Sequence, residues 1–451
     1  MVPIFKKGLK SEACNYRPVS LTSVPCKILE TIVKEDIMIH LERNHLIKKS
    51  QHGFMRGRSC ATNLIEFMDR LTKIIDRGSN ADLFYLDFAK AFDKVSHRLL
   101  LAKLKAKGVD GKLLAWIAGW LLGRKQRVKV GTSISDPSDV DSGIPQGTVL
   151  GPPLFIIYID DIDEAVAELD LIMKFADDTK GLQEIRNDGD RIKLQNTLDR
   201  LVEWASKWAM EFNTKKCKII HVGNRNPGYK YVLNGEELHE VDEEKDIGVL
   251  VHKNLKPSKQ CQRAAATASA VLRQIAKNFH YRDRRTFRKL YCQYVRPHLE
   301  FSTPAWSPWL ATDIDVLENV QKRAVNMMVG LTGSTYEEKC AEVNLDILTV
   351  RRKMADLIQV YKYIHAEDQS VTNEMFEKVT VRGAETRQSS DPLNLRQPRA
   401  RLDIRKYGFT SRVVHDWNSL PPEIKNKRTL HQFKQSLKLL YRRPVVGAAA
   451  E

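Results

Sequence analysis

Leu171-Ile172-Met173-Lys174-Phe175-Ala176-Asp177-Asp178-Thr179-Lys180-Gly181-Leu182 places two adjacent carboxylates between apolar flanks. The pattern predicts a strand–turn–strand over 171–182 whose tight turn presents Asp177 and Asp178 at the end of a hairpin. About ninety residues upstream, a second apolar strand, Leu83-Phe84-Tyr85-Leu86, runs into Asp87. Three carboxylates converging from separate strands predict a site for two Mg²⁺ ions, with Mn²⁺ as a substitute, because such ions take hard oxygen ligands. Two metals stabilise both the attacking and the leaving oxygen of an in-line phosphoryl transfer. An isolated Asp-Asp is most often a solvated turn, so the rest of the chain has to carry that expectation.

The bulk properties bound the class of partner. The chain has 451 residues, room for two or three domains, and a net charge of +17, which favours polyanionic partners, nucleic acid before an anionic membrane. Seven cysteines are scattered with no CxxC pair and no Cys/His cluster at zinc spacing. A reducing compartment is expected, and no zinc site. No apolar run is long enough to span a bilayer, and the N-terminal residues lack a secretory h-region, so neither a transmembrane segment nor a signal peptide is expected.

Helical periodicity runs through 61–76 (Leu64, Ile65, Met68, Leu71, Ile74, Ile75). One or two helices are expected over 96–122, a strand over 125–131, a Gly/Pro loop at 142–147 and an apolar helix across 148–160. A helix at 190–210 and strands near 217–222 and 247–251 follow. Helices alternating with antiparallel hairpins predict an α+β fold. From 256 to 300 the chain turns helical and carries eleven Lys/Arg against Asp283 and Glu300, an electrostatic footprint for phosphates. Residues 367–400 are polar with Arg and Pro and read as a linker.

Three motifs then fall in one order: Asp87-Phe88-Ala89-Lys90-Ala91-Phe92-Asp93, Ser142-Gly143-Ile144-Pro145-Gln146-Gly147 and Phe175-Ala176-Asp177-Asp178. With Asn15-Tyr16-Arg17-Pro18-Val19-Ser20-Leu21-Thr22-Ser23, Gln51-His52-Gly53-Phe54-Met55-Arg56-Gly57-Arg58-Ser59 and Phe212-Asn213-Thr214-Lys215-Lys216-Cys217-Lys218, the set resembles the reverse transcriptases of non-LTR retrotransposons, LINE-like elements of the jockey and chicken-repeat types. The resemblance runs from residue 3 to about residue 440. It implies a right-hand polymerase with fingers and palm over 1–252, a basic helical thumb over 253–335 and a mostly helical C-terminal region over 336–451. It also implies RNA-templated DNA synthesis from dNTPs at a primer 3′-hydroxyl, with an RNA template and a DNA primer or target as partners. That chemistry points to the nucleus or cytoplasm.

By the resemblance, Asp87 and Asp177 are the principal metal ligands and Asp178 an auxiliary acid. Phe92 sits under the incoming sugar and excludes a 2′-hydroxyl, whereas Phe88 reads as core. Asp93 is expected to cap the following helix. Gln146 and Gly147 form the loop beneath nucleotide and template. Arg17, with Lys6 and Lys7, grips the triphosphate. One of Lys215, Lys216 and Lys218 is the general acid toward pyrophosphate. Gly248 belongs to the hairpin that grips the primer end, and Lys259, Arg263, Arg273 and Lys277 to the basic helix that tracks the hybrid. Tyr158-Ile159-Asp160-Asp161 resembles the retroviral catalytic box but lies at the end of an apolar helix, and its acids read as structural.

Two other readings stay open. Elements of this kind carry an endonuclease upstream, so a chain starting at the fingers is expected to be a fragment or a truncated copy, and a truncated relic would bind RNA without catalysis. An RNA-dependent RNA polymerase also carries spaced acids, but its turn is usually Gly-Asp-Asp and it has no use for an aromatic at Phe92.

Overall fold

The computed structural model describes residues 1–366, 375–379 and 391–441. Much of the polar stretch 367–400 therefore lies outside the described residues. The chain forms two compact units, one of residues 1–63 and 80–241, the other of 64–79 and 242–451. Helix Cys60–Asp76 crosses from the first to the second. Among the described residues no helix is long and apolar enough to cross a membrane.

The first unit is built on a five-stranded sheet in the order His239–Glu240, Lys218–Val222, Asn80–Leu86, Asp178–Ile185, Leu171–Phe175. All neighbours are antiparallel except the His239 strand, which runs parallel to Lys218–Val222. Asn80–Leu86 is central, buried along nearly its whole length, as its unbroken apolar run requires. Phe84 lies across its neighbour: a Cβ on Gly181 would stand 2.3 Å from the Phe84 ring, so only glycine fits there. Helix Gly151–Ile159 is buried at eight of nine positions. It shares one core with Leu194, Leu198, Leu201 and Trp204 of helix Asp188–Lys207. An Asn187–Asp190 capping box starts the latter.

Two local features depart from the sequence reading. Residues 125–131 make no single strand: Lys125–Gln126 pairs with Ser138–Asp139 and Lys129–Val130 with Ser133–Ile134. Val128 and Val130 are exposed, so no buried face holds the alternation in one strand. Before the sheet, a ribbon of Val2–Phe5 and Tyr16–Val19 leads into the twenty-residue helix Val24–Arg43. Ser23 Oγ caps that helix by accepting from Cys26 N at 3.4 Å.

The second unit opens with a hairpin, Glu243–Asp246 against Val249–His252, closed by Ile247 and Gly248, both at positive φ. The rest is helical. One core gathers Phe287, Tyr291, Leu317 and Val320 around helices Ser258–Asn278 and Ala311–Asn326. Buried Gln321 ties it together, accepting from Tyr291 Oη at 2.7 Å and donating to Tyr336 Oη at 2.8 Å. A second core gathers Tyr361, Trp417 and Phe433 from helices Leu348–Ile364, Phe409–Asn418 and Leu430–Tyr441.

Candidate active site

The sheet register builds the site. Leu86 faces Thr179 across the ladder, so Asp87, one residue on, reaches the level of the Phe175–Asp178 hairpin tip. The tip has two residues, Ala176 and Asp177, and Ala176 adopts φ +55°. A non-glycine residue in that region is uncommon and concentrates at functional sites. Burial pushes the Asp177 carboxyl up from its ordinary value, and the nearby charge of Asp87 pushes the same way. Arg17 and Lys6 pull it back. Asp87, Arg17 and Lys6 therefore each lie within electrostatic reach of Asp177. Lys7 is exposed in the loop that follows Val2–Phe5. Asp178 is the exposed first residue of its strand.

The floor under Asp87 is the segment after helix Asp188–Lys207. Asn213 N donates to Asp87 O at 2.7 Å, and Asp87 N lies 3.5 Å from Cys217 Sγ. Burial pushes the Cys217 thiol up to about 11, so it stays neutral beside the carboxylate. Lys216 Nζ lies 2.8 Å from Asp87 Oδ2. Lys216, one of the three lysines read as candidate acids, thus pairs with a catalytic-motif carboxylate. Lys218 opens the strand beside Tyr85, and Lys215 is exposed in the 3₁₀ turn before it.

The glycine-rich loop docks on the residues after Asp87. Ile144 N donates to Phe92 O at 2.8 Å and Gly143 N to Val95 O at 2.8 Å. At φ +87°, Gly143 is so close that a Cβ would stand 2.8 Å from Asp93 O. Gln146 Nε2 donates to Asp93 Oδ1 at 3.1 Å, and Ser20 N to Gln146 O at 2.7 Å. A Cβ on Gly147 would stand 2.9 Å from Val19 Cγ1. Phe92 stacks on Phe155 with centroids 4.3 Å apart. The 142–147 loop thus joins the segment around Phe92 to the end of the Tyr16–Val19 strand. Asp93 does not cap the next helix as expected. It lies in the 3₁₀ turn Ala91–Lys94, the extended Val95 intervenes, and Ser96 holds the cap position of His97–Ala106.

The donor set can be tested for a metal. Among the described residues no three His, Cys, Asp or Glu side chains stand close enough to hold an ion by themselves. Asp87 and Asp177 supply two hard carboxylates. Mg²⁺ is ordinarily held by one or two carboxylates with substrate phosphates completing its shell, so the pair fits an ion that arrives with a nucleotide.

The reverse transcriptase (RNA-dependent DNA polymerase) family model matches residues 4–262, more than half of the chain. The chain belongs to the reverse transcriptase family. Similar proteins come from transposons and mobile elements. The probable RNA-directed DNA polymerase from transposon X-element of Drosophila melanogaster is 25% identical, covering 71% of this chain and 36% of that protein. The RNA-directed DNA polymerase from mobile element jockey of Drosophila funebris is 31% identical, covering 56% and 29%. The chain thus spans about a third of the length of these relatives. Among solved structures, apo telomerase from Candida tropicalis gives a TM-score of 0.41 at 13% identity, covering 74% of this chain and 54% of that one, too slight a likeness to add to the family match. The family match does not favour an RNA-dependent RNA polymerase. The family is divalent-metal dependent, and its fold is the right-hand polymerase.

Within the first unit Asp160 and Asp161 are held in ion pairs at the end of helix Gly151–Ile159. Asp160, 2% exposed, pairs with Lys107 Nζ at 2.6 Å and accepts from Lys48 N at 2.8 Å. Asp161 pairs with Lys103 at 2.6 Å. Phe88 is core, stacked on Phe212 at 4.8 Å. In the second unit Lys259, Arg273 and Lys277 are exposed along helix Ser258–Asn278, with Arg263 half-buried on the same face. A Cβ on Gly248, at φ +93°, would stand 2.9 Å from Phe301 Cε1.

Two supports of the site were invisible to residue-type reasoning. Glu30, fully buried, accepts from Val149 N at 2.7 Å and Leu150 N at 3.2 Å, holding the chain that leaves Gln146-Gly147. Gln51 accepts from Ala176 N at 3.0 Å, inside the hairpin tip. Neither carries a spacing signal, because both act across more than a hundred residues.

Proposed function

We propose that this chain extends a DNA primer on an RNA template: the primer 3′-hydroxyl attacks the α-phosphate of a dNTP and pyrophosphate leaves. The observation that carries the reading is the convergence of Asp87 and Asp177 at the ends of paired strands, with Arg17 and Lys6 within reach of Asp177. Asp87 and Asp177 would hold the divalent ions, Mg²⁺ by their hardness with Mn²⁺ as a substitute, and Asp178 would assist. Bound there, the ions would supply charge stabilisation to the phosphoryl oxygens. Arg17, Lys6 and Lys7 hold the triphosphate, preorganised cations where negative charge develops. Phe92, braced by Phe155, closes the space beside the sugar C2′. Gln146 and Gly147 carry the nucleotide and template from below, and Lys216 delivers a proton to the leaving group.

The second unit supplies the nucleic-acid contacts of this reading. Lys259, Arg263, Arg273 and Lys277 follow the backbone of a hybrid by charge rather than sequence, and Gly248 lets the hairpin approach the primer end. Fingers and palm then correspond to about 1–252, the thumb to 253–335 and the C-terminal region to 336–451. The reaction belongs where template RNA and chromosomal target meet, the nucleus, with synthesis of the protein in the cytoplasm.

Primer extension on poly(rA) with dTTP and Mg²⁺ tests the proposal, comparing the chain with Asp177→Asn. Extension by the first and at least a ~10³-fold loss in the second is expected, because nothing else supplies the lost charge. The melting temperature of Asp177→Asn without divalent ions should equal or exceed that of the parent. Equal activity of the two chains would overturn the assignment.

A further inference from the structure

We propose that Gln51 is a positioning residue of the reaction, holding Asp177 in place through the backbone of Ala176. The proposal rests on the reading of Asp177 as a catalytic carboxylate. Strand Leu171–Phe175 is the outer strand of the sheet, and an outer strand offers a row of unpaired backbone groups. The segment Ser50–His52 takes up that row. Lys174 N donates to Ser50 O at 2.8 Å and His52 N to Lys174 O at 2.9 Å, a parallel bridge that sets Gln51 opposite Lys174. Asn63 Nδ2 reaches the same carbonyl at 3.1 Å.

Residues two apart face the same edge of a strand, so Ala176 is the next to present its N–H there. At that point a side chain replaces the backbone ladder. Gln51 Oε1 accepts from Ala176 N at 3.0 Å and from Gly53 N at 2.8 Å. One amide oxygen, with two lone pairs, thereby joins the hairpin tip to the segment that braces it. Gly53 makes the approach possible, since a Cβ there would stand 2.3 Å from Ala176 N.

The arrangement costs stability locally. Gln51 is 1% exposed, and with Oε1 committed to two donors its Nε2 is buried without a partner. Buried polar atoms rarely go unsatisfied, and stability alone would favour a side chain without that nitrogen. Ala176 is held left-handed, a conformation an L-residue leaves readily when its partners are removed. The bond is thus a pin at the one residue whose relaxation would carry Asp177 with it. Two-residue hairpin tips have few alternative conformations, so losing the pin moves the carboxylate by a discrete step.

Hydrogen–deuterium exchange at the Ala176 N–H, followed in the unliganded full chain with ¹⁵N-alanine labelling, tests the pin directly. Ala81, in the central strand, is the internal control. Ala176 should be protected in the parent and in Gln51→Glu, which keeps the acceptor and removes the orphan nitrogen. In Gln51→Met, of similar length but without an acceptor, Ala176 should exchange at least ~10-fold faster with Ala81 unchanged. Primer extension by Gln51→Met should lose about 10²-fold in kcat, with the dNTP KM little changed. Solvent-like exchange at Ala176 in the parent would overturn the proposal. So would parallel acceleration of Ala81 and Ala176 in Gln51→Met, or an unchanged rate at Ala176 with full kcat. If the parent itself does not extend a primer, the exchange measurement still decides the pin, and the catalytic reading of Asp177 falls separately.

Discussion

Lys216 Nζ stands 2.8 Å from Asp87 Oδ2, an ion pair between the segment after helix Asp188–Lys207 and the end of the central strand. Both side chains are partly exposed, at 53% and 36%, so the pair adds little to stability. Its value lies in placing an ammonium beside the carboxylate read as a metal ligand. If Lys216 delivers the proton to pyrophosphate, Lys216→Ala should lower kcat for single-nucleotide incorporation by about 10²-fold or more. Lys215→Ala should change it little. Lys216→Arg keeps the charge but releases a proton poorly; recovery of full kcat by Lys216→Arg would reduce the role to charge pairing.

Phe92 stacks on Phe155 at an interplanar angle of 16°. In the gate reading, Phe92→Val should raise incorporation of ribonucleotides relative to deoxynucleotides by about tenfold or more, measured as the ratio of kcat/KM values. The same change removes a stacked aromatic pair worth about 1 kcal/mol, so the urea midpoint should fall modestly. A lower midpoint with unchanged sugar selectivity would leave Phe92 as core alone.

Asp160 is buried and relies on Lys107, whose own side chain is 20% exposed. Lys107→Met leaves that carboxylate without its cation and should destabilise the first unit by about 3 kcal/mol, read from denaturant unfolding. Lys107→Met with Asp160→Asn should recover most of the loss. No recovery would mean that the pair does not carry the stability assigned to it.

His221 donates through Nδ1 to fully buried Asp82 at 2.7 Å, and Tyr231 Oη reaches the other Asp82 oxygen at 2.6 Å. Burial alone would lower the His221 pKa, but the hydrogen bond to Asp82 and its charge outweigh this and raise it. A histidine raised in the folded state stabilises fully below its unfolded value of about 6.5 and loses that contribution as pH rises through the folded value. The parent should therefore exceed His221→Phe by about 2 kcal/mol near pH 6, and the gap should narrow steadily toward alkaline pH. A gap independent of pH would assign the effect to packing.

The sequence carried the elements whose chemistry is local. The strand–turn–strand read at 171–182, the strand into Asp87, the helix read at 61–76 and the basic helical stretch read at 256–300 each follow from a period or a composition. Helix Val24–Arg43 did not, because it is apolar on both faces: Val33, Ile37 and Leu41 are buried while Val24, Ile28 and Ile32 are exposed at 69%, 59% and 54%. No clean stripe exists to be read. Asp93 looked like a helix cap because cap residues are recognised by type, whereas its partner Gln146 is fifty-three residues away.

By itself the sequence determined the family, the α+β class and the acids to suspect, because motif order and strand patterning are written in consecutive residues. Only the tertiary structure decided how those residues work together. It paired Lys216 with Asp87, brought Lys6 and Arg17 within reach of Asp177, and placed Gln51 and Glu30 under the loops they hold. Hydrogen bonds and charges act through space over a few ångströms, and residues that close in the fold can lie anywhere in the chain.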